Sequence, residues 1–227
     1  MNIRRRPRQA SKATGPRKKR GPGPGRPTRA QIETRNAELL DKALDLFLER
    51  GFEEATLNKI TGAIGMAKRT VYARYGDKAT LLKAALQRAI EDWIISTDRL
   101  RALETGNLEQ SLLRIAQVLV ANIMSPAGLR LMRITNSVSH RMPEVGAYNF
   151  HRGTERTVAY LADLFRRKLR PDGSALPNAD QAAMAFLNLV VGEPARTTAW
   201  GMVLDKATIE QHTRYCVQLF LHGLLAQ

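Results

Sequence analysis

Apolar residues in this chain recur every three or four positions almost from end to end, the spacing of helices that each bury one face. Leu39, Leu40, Ala43, Leu44, Phe47 and Leu48 form the first such stripe, and Gly51 ends it. Thr56 is placed to cap a short second helix through Leu57, Ile60 and Ile64, which runs towards Gly65. A third short helix spans 67–75, and Asp77 caps a longer fourth one containing Leu81, Leu82, Ala85, Leu86, Ile90, Trp93 and Ile94. Beyond Gly106 the spacing predicts helices over 108–124, 126–139, 143–170, 178–200 and 206–226, broken at Ser125-Pro126, at Pro171-Asp172-Gly173 and near Leu204. No segment alternates apolar and polar residues beside a hairpin turn, and no internal repeat is present. The expected fold is all-α.

Residues 1–29 break the pattern. They hold Pro7, Pro16, Pro22, Pro24 and Pro27 and almost nothing apolar, so burial cannot offset their ordering entropy and they read as a disordered arm. The chain carries 36 Lys and Arg against 21 Asp and Glu, a net charge of +15, and 11 of the basic residues lie in this arm with no acid. Gly25-Arg26-Pro27, flanked by Lys18, Lys19, Arg20 and Arg29, has the core of an AT-hook, in which Arg26 would enter a narrow A·T minor groove. A plain polycation that only adds phosphate contacts fits the same residues. Either way DNA binding should gain a salt dependence of about 0.9 log unit per engaged phosphate. Gly21, Gly23 and Gly25 do not form a nucleotide loop, because prolines interrupt them and no strand precedes them. A single cysteine, Cys216, excludes an internal disulfide framework, and no apolar segment reaches the roughly 18–20 residues of a membrane span. The basic N-terminus has no apolar region behind it, so a secretion signal is not expected. The protein reads as soluble, cytoplasmic and associated with the nucleoid.

The first helices have the layout of a helix-turn-helix, with Gly65 in the turn between the second and third. Its last helix must offer long donors to a major groove on one side and apolar packing on the other. Lys68, Arg69, Thr70, Tyr72, Ala73 and Arg74 supply the polar side, and Met66, Val71 and Tyr75 the packing side. The stretch Ala43-Leu44-Asp45-Leu46-Phe47-Leu48-Glu49-Arg50-Gly51-Phe52, then Ala55-Thr56, Ile60, Gly65, Thr70-Val71-Tyr72, Tyr75 and Lys78, resembles the DNA-binding domain of the tetracycline-repressor (TetR) family. The region 130–170, with Met142-Pro143-Glu144 inside it, is similar to AefR-type C-terminal domains. The resemblance implies a homodimeric transcriptional regulator, most simply a repressor, that binds a palindromic operator in double-stranded DNA. Behind the basic arm over 1–29, it further implies a helix-turn-helix domain over 30–77 and a helical effector-binding and dimerisation domain over 78–227. Carried over by position, Lys68, Arg69, Thr70 and Arg74 would reach base edges or nearby phosphates, and Thr56, Tyr72 and Lys78 would grip the backbone. Three residues depart from the family pattern: Ala67 stands where a capping Ser is usual, Ile64 where an Ala is usual, and Arg74 where His or Tyr is commoner. The missing cap should cost about 1 kcal/mol.

The rear of the chain supports a pocket, a dimer surface or both. Candidate pocket residues for a small-molecule effector are Trp93, Asn122, Met124, Met132, His140, Tyr148, His151 and Arg152, since Met adapts to apolar shapes and a few polar groups orient a ligand. The last two helices carry an apolar stripe through Phe186, Leu189, Cys216, Phe220 and Leu224, which would face either a second copy or the chain's own core. His151 and Glu155, four apart on a helix, would pair with each other or bind a metal, but no third ligand accompanies them. No Gly-x-Ser-x-Gly, His-Glu-x-x-His, P-loop or paired carboxylate points to catalysis, and no cofactor is implied. A different class of function fits the charge alone: a sequence-tolerant architectural DNA-binding protein driven by the basic arm.

Overall fold

The computed structural model describes residues 28–169 and 176–225, and every regular element among them is a helix. Arg26 lies outside the described residues, as does the side chain of Leu224. The elements are α1 (Arg29–Glu54), α2 (Leu57–Ala63), α3 (Lys68–Tyr75), α4 (Lys78–Trp93), α5 (Thr97–Arg101), α6 (Leu108–Ile123), α7 (Pro126–Ser139), α8 (Pro143–Asn149), α9 (Glu155–Leu169), α10 (Ala179–Ala199) and α11 (Lys206–Leu225). A π turn, Phe150–Thr154, joins α8 to α9, so the long helix expected over 143–170 is present but interrupted. No single described helix is long and apolar enough to cross a membrane.

Local chemistry sets the helix ends. Thr28 and Gln31 form a reciprocal capping box at the start of α1: the Gln31 N–H donates to the Thr28 hydroxyl at 3.2 Å, and the Thr28 N–H to the Gln31 side chain at 2.9 Å. Gly51 breaks α1 near its end with φ 76°, a left-handed conformation that costs a side-chain-bearing residue about 1–2 kcal/mol. Thr56 caps α2 through Lys59 N–H, and Asp77 caps α4 through Thr80 N–H, which holds the Asp77 carboxyl below its usual pKa. Ala67 precedes α3 without a side-chain cap. Between α6 and α7 the chain turns through 65°, and a side chain at Gly128 would meet the carbonyl oxygens of Asn122 and Ile123 at 2.5 Å. Only glycine permits that approach.

The helices bury two separate cores. One joins α1–α4, with Leu39, Ala43, Phe47, Ile60, Val71, Leu81, Leu86 and Ile90, to Leu131, Ile134 and Val138 of α7 and Val145 of α8. The other gathers Leu100 of α5, Leu112 and Ile115 of α6, Leu161 and Phe165 of α9, Phe186 and Val190 of α10, and Val217 and Phe220 of α11. Each fully enclosed Leu, Ile or Phe contributes about 1.5–3 kcal/mol. Phe165, Phe186 and Phe220 form one cluster with centroids 5.1–6.2 Å apart, Phe165 stacked on Phe220 and Phe186 edge-on to both. Ion pairs rim the seam between α1 or α4 and the helices behind them: Arg130 with Asp45, Arg141 with Glu53 and Lys83 with Glu144.

Candidate nucleic-acid interface and ligand cavity

In α3 only Val71 is buried, at 1% exposure, and it packs into the front core. Lys68, Arg69, Thr70, Tyr72 and Arg74 all face outward, so the helix offers Val71 and the half-buried Tyr75 to the protein and a row of donors to solvent. Gly65, with φ 61°, lets the turn before α3 close. Tyr75 fixes the far end of the helix by donating its hydroxyl to Asn36 Oδ1 of α1 at 2.5 Å. Beside α3, a cleft of about 250 Å³ is lined by Thr56, Leu57, Asn58, Lys68, Tyr72, Asp77 and Lys78. The Lys78 ammonium donates to the carbonyl of Phe52 at 2.6 Å and lies 4.2 Å from the Phe52 ring centroid. Two of its three N–H groups are thus directed at the last carbonyls of α1, with Glu53 accepting at 3.3 Å. Thr56, Lys68, Tyr72 and Lys78, expected from sequence at a DNA interface, therefore share one cleft, and Arg69, Thr70 and Arg74 stand on the exposed side of the same helix.

Farther back, a cavity of about 220 Å³ lies between the two cores. From the front come Trp93 and Ile94 at the end of α4, and Leu131, Met132, Thr135 and Asn136 of α7; from the rear come Leu119, Asn122 and Ile123 of α6, Thr157 of α9, and Leu187 and Ala195 of α10. Trp93 and Asn122 clasp each other: the indole N–H donates to the Asn122 carbonyl, and the Asn122 amide donates to the Trp93 carbonyl, both at 3.1 Å.

Of the pocket residues expected from sequence, Trp93, Asn122 and Met132 line this cavity and the other five do not. Tyr148 donates its hydroxyl to Glu91 at 2.6 Å, and Arg152 bonds the same carboxylate oxygen at 3.0 Å. Those two bonds hold the Glu91 carboxyl below its usual pKa, while burial and then Glu91 push the Tyr148 hydroxyl up. Met124 packs against the rear core, His140 is exposed, and His151 pairs with Glu155 at 2.9 Å. Besides Asn122, the cavity's polar side chains are uncharged hydroxyls and amides, Thr135, Asn136, Asn149, Thr154 and Thr157, which sequence reasoning passes over because such residues are common on any helix.

The expected dimer stripe needs a correction. Phe186, Cys216 and Phe220 are buried at 0, 4 and 8% exposure within one chain, so a partner has nothing of theirs left to cover. Burial also raises the Cys216 pKa, and its thiol donates to the Leu189 carbonyl at 3.3 Å. What α10 and α11 leave outside is Leu189, half-buried, with Tyr215 at 63% and Leu219 at 47% exposure.

Comparison with known proteins agrees with this architecture. Residues 39–85 match the family model described as bacterial regulatory proteins, tetR family, and residues 110–223 match the AefR-like transcriptional repressor, C-terminal domain. The chain is 27% identical to the HTH-type transcriptional repressor ComR of Escherichia coli (strain K12) over 185 residues, covering 78% of this chain and 85% of that one. Among solved structures, a TetR-family transcriptional regulator from Mesorhizobium loti superposes with TM-score 0.73 at 24% identity, over 87% of this chain and 98% of the other. The flavonoid-responsive regulator FrrA superposes with TM-score 0.66 at 25% identity, over 84% and 97%. With a helix-turn-helix in front whose exposed face is cationic, and an AefR-like bundle matched over half the chain behind it, this protein belongs to the TetR family of helix-turn-helix transcriptional regulators.

Proposed function

We propose that the protein is a homodimeric repressor that places its two α3 helices in successive major grooves of a palindromic operator and is released by a small molecule held between its cores. The observation that carries the DNA reading is α3 itself, which buries Val71 alone and presents Lys68, Arg69, Thr70, Tyr72 and Arg74. Lys68, Arg69, Thr70 and Arg74 contact base edges; Thr56, Tyr72 and Lys78 hold phosphates in the cleft beside them. The arm, through Arg26 and its neighbours, adds affinity from the minor groove or the phosphates. Pairing of two copies through Leu189, Tyr215 and Leu219 matches two readers to two half-sites. The protein acts at the nucleoid in the cytoplasm.

Release follows from where the cavity lies. A ligand there touches Trp93 and Asn122, the clasp that holds the end of α4 against α6, and α4 packs directly on α1 and α3. Binding energy that favours one setting of the two cores over the other changes the spacing of the readers and weakens operator binding. FrrA, whose fold is similar, is named as flavonoid-responsive, which supports a small-molecule effector here.

Selection of binding sites from a randomised duplex pool tests the reading, using the full chain and one lacking residues 1–27. The shorter chain keeps the Thr28 cap of α1. Recovery of one palindrome by both proteins is expected. Recovery of A·T-rich sequence by the full chain alone, with nothing from the truncated one, would mean that the arm binds DNA without a sequence-specific reader.

A further inference from the structure

From the chemistry of the cavity walls we infer that the effector is an uncharged, mainly apolar small molecule bearing one hydroxyl or carbonyl group, and that Thr135 is the residue that recognises that group. This rests on the reading of the cavity as the effector site and specifies the class of ligand it takes.

None of the 17 residues that line the cavity is ionisable. The charged cluster of Glu91 and Arg152 with Tyr148 is bonded within itself and lies outside the lining. A carboxylate or ammonium entering the cavity would shed water and meet no opposite charge, which is strongly unfavourable. The walls are largely apolar, with Ile94, Leu119, Leu131, Met132 and Leu187 around the indole of Trp93.

Thr135 is the exception. It lies on α7 at 5% exposure, and its hydroxyl has no hydrogen-bond partner among the described residues. Its neighbours behave differently: Ser137 donates to the Ile134 carbonyl at 2.8 Å, Ser139 to the Thr135 carbonyl at 2.6 Å and, across the cavity, Thr157 to the Gly153 carbonyl at 3.0 Å. A buried hydroxyl without a partner is destabilising, and a ligand that supplies one, after a turn about the Thr135 Cα–Cβ bond brings the oxygen to the cavity wall, recovers that loss on binding. Thr135 also belongs to the front core's helix α7, so a ligand bonded to it and packed on Leu119 and Leu187 spans the seam.

Isothermal titration of the full chain with three compounds of one shape tests the inference: 2-naphthol, 2-methylnaphthalene and 2-naphthoate. The expected order is 2-naphthol first, 2-methylnaphthalene three- to tenfold weaker, and 2-naphthoate at least a hundredfold weaker. Thr135→Val should erase the preference for 2-naphthol while both neutral compounds still bind, and Thr135→Ser should restore it. Binding of 2-naphthoate within tenfold of 2-naphthol, an unchanged preference in Thr135→Val, or no binding of any of the three would overturn the inference. The same compounds are added to the operator complex in parallel. Binding in the expected order without release of DNA supports the ligand class and overturns the effector role of the cavity.

Discussion

Replacing Lys78 by alanine perturbs one side chain that serves two ends of the front core at once. The ammonium donates at 2.6 Å to the Phe52 carbonyl, just past the break at Gly51, and sits over the Phe52 ring. A hydrogen bond from a charged donor contributes about 1.5–3 kcal/mol, and an exposed cation–π contact about 0.5–1. Fixing a lysine side chain opposes this by up to about 2 kcal/mol. The net loss expected for Lys78→Ala is therefore about 1–2 kcal/mol, which lowers Tm by roughly 2–8 °C in a chain of this size. One N–H remains for a phosphate, so each subunit should also lose about 0.9 from the slope of log K against log salt. Thermal unfolding gives the first quantity and fluorescence anisotropy on a labelled operator, titrated with salt, gives the second. An unchanged Tm would refute the packing argument. A lowered Tm with an unchanged slope would show that Lys78 only ties α4 to α1 and that the phosphate lies elsewhere. The affinity lost should be the same for operator and random duplex.

Arg69→Ala should act differently, relaxing base preference at one position of each half-site by about 1–3 kcal/mol, which competition against single-base operator variants reads directly. Deleting 1–27 removes ten cations but spares the cap of α1, so the salt slope should flatten while Tm holds; deleting 1–29 should cost about 1 kcal/mol more in stability. Glu104→Gln tests the rear core. Arg167 grips that carboxylate at two points, both 2.9 Å, and Tyr160 adds a third bond, which together hold Glu104 below its usual pKa of 4.5. Because the folded value is depressed, the stabilisation is full above about pH 4.5 and disappears as pH falls through the lower folded value. The variant should be less stable by about 1.5–3 kcal/mol at pH 7 and approach the parent in acid, and an equal gap at pH 7 and pH 3 would contradict the assignment.

What could be read in advance was what neighbouring residues decide. Thr56 and Asp77 cap the helices they precede, Gly51 breaks α1, and Ala67 leaves α3 without a cap, because each depends on a few adjacent positions. The short α5, capped by Ser96, is not legible in the sequence because five residues carry too little periodicity to register. The site behind the reader depends on helices far apart in sequence. Choosing pocket residues by chemical type found Trp93, Asn122 and Met132 but also Tyr148 and Arg152, whose carboxylate partner lies 57 and 61 residues away. Periodicity likewise marked Phe186, Cys216 and Phe220 as one apolar face without showing that Phe165 and the rest of the same chain already cover it.

The front core also has a consequence for exchanging parts between relatives. Leu131, Ile134, Val138 and Val145 close the underside of α1 and α4, although they follow the helix-turn-helix by the whole of α5 and α6. A chimera joined at residue 77 would set a foreign α1–α3 against this protein's α4, α7 and α8, mismatching an apolar surface together with the Asp45–Arg130 and Glu53–Arg141 pairs. The transferable unit is discontinuous, residues 28–93 plus 126–145. A graft that carries both pieces, or that recuts those four apolar positions to suit the new head, retains the packing that ties α1 and α4 to the helices behind them.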